Sequence, residues 1–242
     1  MELPLFYAPG IQETSGQYAL DENASRHCLH SLRKKTGDEV LLTDGNGKKF
    51  RGSISGITAG RCTVELICTE LVHLPAYPYP SIAIPIPGNN SRWEWLVEKA
   101  VEIGISGIHP LKTGRSLKAN LKETRIRQIM VSAMIQSRQY ILPQLNPVQA
   151  FGDFISRDRE GLRFIAHCME GNRCPVPEKL DRREKSLLLI GPEGDFTPEE
   201  IASALTLGFI PVSLGDHRLR METAAVVSLT LVHGSYQTSL VK

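Results

Sequence analysis

The chain has 242 residues, 41% of them hydrophobic and 22% charged, with a formal net charge of only +2. That composition can bury a sizeable core and excludes disorder as the dominant state, and the length suits two domains better than one or three. No apolar run approaches the roughly 18 residues of a membrane helix, Met1-Glu2-Leu3-Pro4 lacks the basic-then-apolar order of a signal peptide, and the near-neutral total argues at first sight against a nucleic-acid partner, so a cytoplasmic protein is expected.

Short strands come first. Residues 38–43, 49–57 and 61–71 each read as a strand, and Val64 and Leu66 begin an alternating face. Asp44-Gly45-Asn46-Gly47 is a strong hairpin turn, and Ala59-Gly60 serves the next reversal. The spacing predicts a small antiparallel β-barrel over residues 1–74. Pro75-Ala76-Tyr77-Pro78-Tyr79-Pro80 then stiffens the chain with three prolines and marks a linker over 75–80.

From residue 81 to 242 strands and helices alternate. Residues 81–86 form a short apolar run, and Trp93, Leu96, Val97, Ala100 and Val101 follow helical spacing up to Gly104. Residues 105–110 read as a strand, and Ile126, Ile129, Met130, Ala133 and Met134 define an amphipathic helix over 123–137. Further strands are expected at 163–168, 186–190 and 210–214. Unbroken apolar runs such as Leu187-Leu188-Leu189-Ile190 fit parallel strands buried on both faces, which makes this second domain α/β.

The chemistry concentrates after two of these strands. Ile190 runs into Gly191-Pro192-Glu193-Gly194-Asp195-Phe196, and then Thr197 as N-cap, Pro198 at the first helical position and Glu200 closing a capping box start a helix that stops at Gly208. Glycines beyond the carboxyl end of a buried strand let backbone approach a ligand, although two glycines alone more often mark an ordinary turn. The second segment, Gly215-Asp216-His217-Arg218-Leu219-Arg220-Met221-Glu222-Thr223-Ala224, carries more ionisable groups than a connector needs. Capping by Glu222 and Thr223 and a surface salt bridge by Arg220 are the plainer explanations of each residue taken singly.

Cys28, Cys62, Cys68, Cys168 and Cys174 form no CxxC pair and lack histidines at zinc spacing, so neither disulfide nor metal is expected; His167-Cys168 reads as part of a buried strand. Charge is unevenly placed. Between Lys112 and Gln139 seven cations stand against Glu123 alone, a net +6, and Arg33-Lys34-Lys35 and Lys48-Lys49-Arg51 make two basic clusters read as lying on turns. Three such stretches suit phosphate contacts, whereas any one of them is commonly a solvated face.

Taken in order, Leu189 to Phe196, Ser213-Leu214-Gly215 and Leu219 to Ala224 resemble the signature of the RsmE family, SPOUT-superfamily methyltransferases of uridine N3 in 16S ribosomal RNA. Glu94 to Gly104 resembles that family's first catalytic-domain helix, and Arg115-Ser116 and Gln136-Ser137 fall where it has similar residues. His27, Leu32-Arg33, Gly37-Asp38 and the turn at 44–47 resemble its PUA-like RNA-binding barrel. The resemblance implies a homodimer through the SPOUT domain, a mostly parallel sheet ending in a trefoil knot, and S-adenosylmethionine bound among three knot loops. Carried onto this sequence, the cofactor contacts are His167, Met169 and Glu170 from the first loop, and Ile190, Gly191, Pro192, Glu193 and Gly194 from the second. Leu214, Gly215, Leu219, Arg220, Thr223 and Ala224 come from the third.

Arg220 and Glu222 are the expected catalytic residues, Arg220 stabilising the uracil anion while Glu222 and Thr223 fix the loop. RNA is expected on Arg26, Arg33, Lys34, Lys35, Lys48, Lys49, Arg51, Arg115, Lys118 and Arg138 within the small ribosomal subunit. The chain departs from the family pattern at Asp195 (usually Gly), His217 (commonly Arg), Met221 (usually Thr) and Gln139 (often Arg). A basic residue expected before the first helix is replaced by the Pro87-Gly88-Asn89-Asn90 stretch, with Arg92, Arg138 and Arg218 as candidates to take its place. A SPOUT ribose 2'-O-methyltransferase and a non-enzymatic RNA-binding assembly factor are the alternatives.

Overall fold

The computed structural model describes residues 2–72, 78–116, 121–157, 160–169, 173–176, 180 and 184–238, with side chains of 15 and 236–238 excepted. Part of the expected linker (75–77) lies outside these residues. Internal contacts divide the chain into two units, residues 1–74 with 134–142, and 75–133 with 143–242.

The first unit is a five-stranded sheet. Its strands are β1 (Leu5–Tyr7), β2 (Gln17–Ala19), β3 (Glu39–Thr43), β4 (Lys48–Thr58) and β5 (Arg61–Leu71), ordered β1-β3-β4-β5-β2. The expected all-antiparallel arrangement fails at one place: β1 runs parallel to β3, pairing Leu5 with Leu41, so the chain must cross over before β3 forms. Along β4 the period of two puts Phe50, Gly52 and Ile54 inside and Arg51 and Ser55 outside. Gly52 is required there, since a Cβ would lie 2.5 Å from the Glu65 carbonyl oxygen across the ladder. Ala59 (φ 49°) and Gly60 (φ 79°) close the β4–β5 hairpin with both residues left-handed, the twist that a two-residue turn requires. Asp21 caps α1 (Glu22–Arg26) by accepting the Ala24 N–H at 2.7 Å, and the helix continues into a π-helical turn, His27–Ser31. Phe6, Leu20, Val40, Leu42, Phe50, Ile54 and Val64 form the core with Cys28 and Cys62. Burial and the neighbouring Cys62 push the Cys28 thiol up to about 12, which keeps it protonated and inert.

Among the described residues the second unit is built on an eight-stranded parallel sheet. Its central order is β13 (Ile210–Ser213), β10 (Leu162–Ala166), β12 (Ser186–Ile190), β6 (Ser81–Pro85) and β7 (Gly107–Lys112). The short strands β11 (Cys174–Pro175), β8 (Gln144–Leu145) and β9 (Gln149–Ala150) flank it, β11 on β13 and the other two on β7. Every residue of β12 is buried, as expected of a strand covered on both faces. α2 (Asn90–Ile103) buries Trp93, Leu96, Val97, Ala100 and Val101 and is capped by Asn89, which accepts the Ser91 N–H at 2.8 Å. α3 (Glu123–Gln136) buries its apolar stripe from Ile126 to Met134. α4 (Phe151–Ile155), α5 (Pro198–Thr206) and α6 (Met221–Thr238) complete the unit. α5 begins with the expected capping box: Glu200 N–H donates to Thr197 Oγ1 at 3.2 Å, and Thr197 N–H donates to Glu200 Oε2 at 2.9 Å. No helix among the described residues is long and apolar enough to cross a membrane.

Candidate active site

β12 pairs with one side of β10 and β13 with the other, so the chain reverses its progress across the sheet at β10. In an open parallel sheet the carboxyl ends of strands beside such a reversal leave a crevice for a ligand. Here the loops leaving β10, β12 and β13 enclose a cavity of about 510 Å3, within the roughly 300–1,000 Å3 typical of small-molecule sites.

Ala166, Ile190, Val212, Leu214, Leu219 and Ala224 supply apolar wall, and Gly191, Pro192 and Gly215 bring backbone to the surface. Four arginines (Arg92, Arg173, Arg218, Arg220) and three carboxylates (Glu193, Asp195, Glu222) line the cavity, so both signs of charge are offered to a ligand. His167 is only 9% exposed, and neither ring nitrogen has a hydrogen-bond partner among the described residues. Burial lowers its pKa, opposed by Asp195 and reinforced by Arg173, so the imidazole is neutral at neutral pH. Glu222 is 8% exposed; Oε1 lies 3.6 Å from Arg92 Nε, and Oε2 has no hydrogen-bond partner among the described residues. A buried polar group without a partner is costly in a folded chain, and two facing one cavity mark positions that a ligand would satisfy.

His167, Ile190, Gly191, Pro192, Glu193, Leu214, Gly215, Leu219, Arg220 and Ala224 all line the cavity, as does Glu222. Met169, Gly194 and Thr223 do not: Met169 and Thr223 are exposed, and the Gly194 carbonyl instead accepts Arg115 Nη1 at 2.6 Å. Glu170 lies outside the described residues. Among the described residues the Glu222 carboxylate meets Arg92 on α2 rather than a backbone N–H of the loop. Of the three candidates for the replaced basic residue, Arg92 and Arg218 reach the cavity, whereas Arg138, with φ 56°, pairs in the first unit with Glu2 at 3.0 Å.

Cys168 is not a buried strand residue. β10 ends at Ala166, and Cys168 is exposed, its backbone N–H donating to Asp195 Oδ2 at 2.8 Å. Arg173 was not foreseen; it donates from Nη1 to the His167 carbonyl at 2.9 Å and carries no recognisable local pattern. No three His, Cys, Asp or Glu side chains among the described residues are placed to hold a metal.

The expected RNA contacts divide by their partners. Lys48, Lys49 and Arg51 lie on β4, not on a turn, and pair with Glu13, Glu70 and Glu39 at 2.9, 2.8 and 2.6 Å. Arg26 pairs with Glu22 at 2.7 Å, one helical turn away. Arg33 and Lys35 are exposed on the turn after the π-helical segment, with Lys34 half-buried between them. Lys118 lies outside the described residues. In the basic stretch, Arg125 pairs with Glu94 at 2.9 Å, whereas Lys112, Lys122 and Arg127 are exposed with no ion pair among the described residues.

Comparison with known proteins adds a family. The family model described as an RNA methyltransferase domain matches residues 78–233, and that of an RNA methyltransferase PUA domain matches residues 20–67. A Synechocystis protein named ribosomal RNA small subunit methyltransferase E is 28% identical over 208 residues, covering 84% of this chain and 68% of its own. A Porphyromonas gingivalis structure described as a probable rRNA-methyltransferase superposes with a TM-score of 0.91 at 35% identity, over 98% of this chain and 100% of its own. A Legionella pneumophila structure in complex with the bound cofactor SAM gives 0.88 at 26% identity, over 97% and 98%.

Proposed function

The chain belongs to the RNA methyltransferase family in its RsmE branch, and from that premise we propose that it methylates N3 of one uridine in 16S rRNA of the small ribosomal subunit, in the cytoplasm, using S-adenosylmethionine. The observation that carries this reading is the convergence of three strand-end loops on one cavity where the His167 ring nitrogens and Glu222 Oε2 are buried with no hydrogen-bond partner among the described residues.

The residues present fit S-adenosylmethionine. Ile190, Val212, Leu214 and Leu219 offer a slot for a flat apolar ring, the glycine loops offer backbone groups, and His167 offers a neutral donor or acceptor. When bound, the cofactor supplies an electrophilic methyl carbon on a sulfonium. The protein's own work is then chiefly positioning, since in-line displacement needs the uracil nitrogen held against that carbon. Arg220, exposed where the cavity opens, is placed to stabilise the negative charge that grows as N3 loses its proton. Glu222 holds Arg92 at the same cavity and balances its charge. The first unit is the RNA-holding domain, with Arg33, Lys34 and Lys35 as its phosphate contacts; on the second unit Lys122 and Arg127 are exposed cations of their own. The reading includes a knotted C-terminal topology and a homodimer formed through the second unit.

Calorimetric titration with S-adenosylmethionine tests the cofactor site. Stoichiometric binding that is lost when the cavity is filled by Gly215→Trp supports the reading; absence of binding to the wild-type chain contradicts it.

A further inference from the structure

We propose that Asp195 is a positioning residue of the cofactor site, its carboxylate tying the loop after β12 to the loop after β10 so that the two walls of the cavity keep one geometry. The proposal rests on reading the cavity as the S-adenosylmethionine site. Asp195 lines that cavity, and both of its oxygens are engaged: Oδ2 accepts the Cys168 N–H and Oδ1 accepts the Phe196 N–H, each at 2.8 Å. The first bond spans 27 residues of sequence and links these two loops directly. It fixes the residue next to His167, whose unpartnered ring faces the cavity.

Two further features agree with a tie that the local structure accommodates. Asp195 takes φ 64°, a left-handed conformation that aspartate tolerates better than most residues do. A Cβ at Gly191 would lie 3.0 Å from Asp195 Oδ1 and 3.2 Å from the Phe196 nitrogen, so the bare glycine leaves the room in which the carboxylate folds back. Arg115 grips the same loop through the Gly194 carbonyl. The loop is thus held by a carboxylate and by a guanidinium.

Chemistry separates the variants. The Cys168 and Phe196 N–H groups meet different oxygens of Asp195, and a carboxamide would replace one of those oxygens by an NH2 donor. Asp195→Asn keeps size and backbone preference but leaves one N–H without an acceptor whichever way the amide turns, whereas Asp195→Gly removes both bonds and relieves the left-handed strain. Hydrogen bonds to charged acceptors are strong enough that losing one weakens binding about tenfold. We expect the dissociation constant for S-adenosylmethionine to rise about tenfold in Asp195→Asn and further in Asp195→Gly, with RNA affinity unchanged. In the cofactor-free chain the Cys168 amide should exchange hydrogen faster in both variants while the β12 amides keep wild-type protection, a contrast that a general loss of stability would erase. Wild-type binding with Asp195→Asn at equal affinity and unchanged Cys168 exchange would overturn this proposal alone. Failure of the wild-type chain to bind would overturn the reading of the cavity, and this proposal with it.

Discussion

Arg92 and Glu222 meet across the cavity, Nε to Oε1 at 3.6 Å, although 130 residues separate them and they begin different helices, α2 and α6. The distance is that of an ion pair without a hydrogen bond, and the carboxylate side chain is far more buried than its partner. Removing the cation therefore leaves a mostly buried charge uncompensated, which costs more than the pair itself contributes.

That asymmetry gives the first prediction. Arg92→Ala should lower kcat/KM for methyl transfer more than Arg92→Ala with Glu222→Gln does, because the amide needs no counter-charge. A double-mutant cycle should return a coupling of about tenfold, within the usual range for residues in contact. Additive losses would show that the two groups act independently.

Arg220 is tested separately from the cofactor. If it stabilises developing charge on the base, Arg220→Ala should reduce kcat by roughly 100- to 1,000-fold, a loss well beyond that in the calorimetric affinity for S-adenosylmethionine, whose cavity it also lines. Parallel loss of both quantities would place Arg220 in cofactor binding instead.

How much of this site was legible in the sequence differs from residue to residue. The buried stripe of α2, the stripe of α3 and the Thr197–Glu200 box are local patterns, and the structure has them where periodicity and capping chemistry put them. Strands of two or three residues such as β1, β8, β9 and β11 carry no periodicity; their partners across the sheet decide them. Cys168 was misread for a related reason: an apolar run foretells a strand but not the residue at which its ladder ends, here Ala166. The Arg92–Glu222 pair and the Asp195 tie lie between distant segments, where nothing in local sequence signals that two side chains will meet.

The basic clusters are predicted to be unequal. Lys48, Lys49 and Arg51 already face carboxylates, so substituting them releases an acidic partner and alters local charge without removing a free phosphate contact. Replacing Arg33, Lys34 and Lys35 together by alanine should weaken RNA binding at low salt and reduce the slope of log K against log salt by about one for each lost contact. The triple Lys48, Lys49, Arg51 variant should change that slope less. Equal changes would mean that the acidic partners give way to RNA.

Acid stability follows from two buried histidines. Burial lowers the pKa of His167 and of His233, which bonds the Gly104 carbonyl at 2.6 Å. The unfolded chain therefore takes up protons before the folded one as pH falls below the ordinary histidine value of about 6.5. Stability is fully present above that value and declines as the pH drops from there through the lowered folded values. Melting temperature should be flat between about pH 7 and 8 and fall below about 6.5. His233→Gln, which keeps a donor for Gly104, should lessen the fall. A slope unchanged by the substitution would exclude His233 as its source.

The central claim concerns one nucleoside in one RNA, and its most direct measurement is mass spectrometry of nucleosides from 16S rRNA of a strain lacking the chain. The prediction is that 3-methyluridine disappears, returns on complementation with the wild-type chain, and does not return to full level with Arg220→Ala. Persistence of 3-methyluridine at its full level in the deletion strain would contradict it.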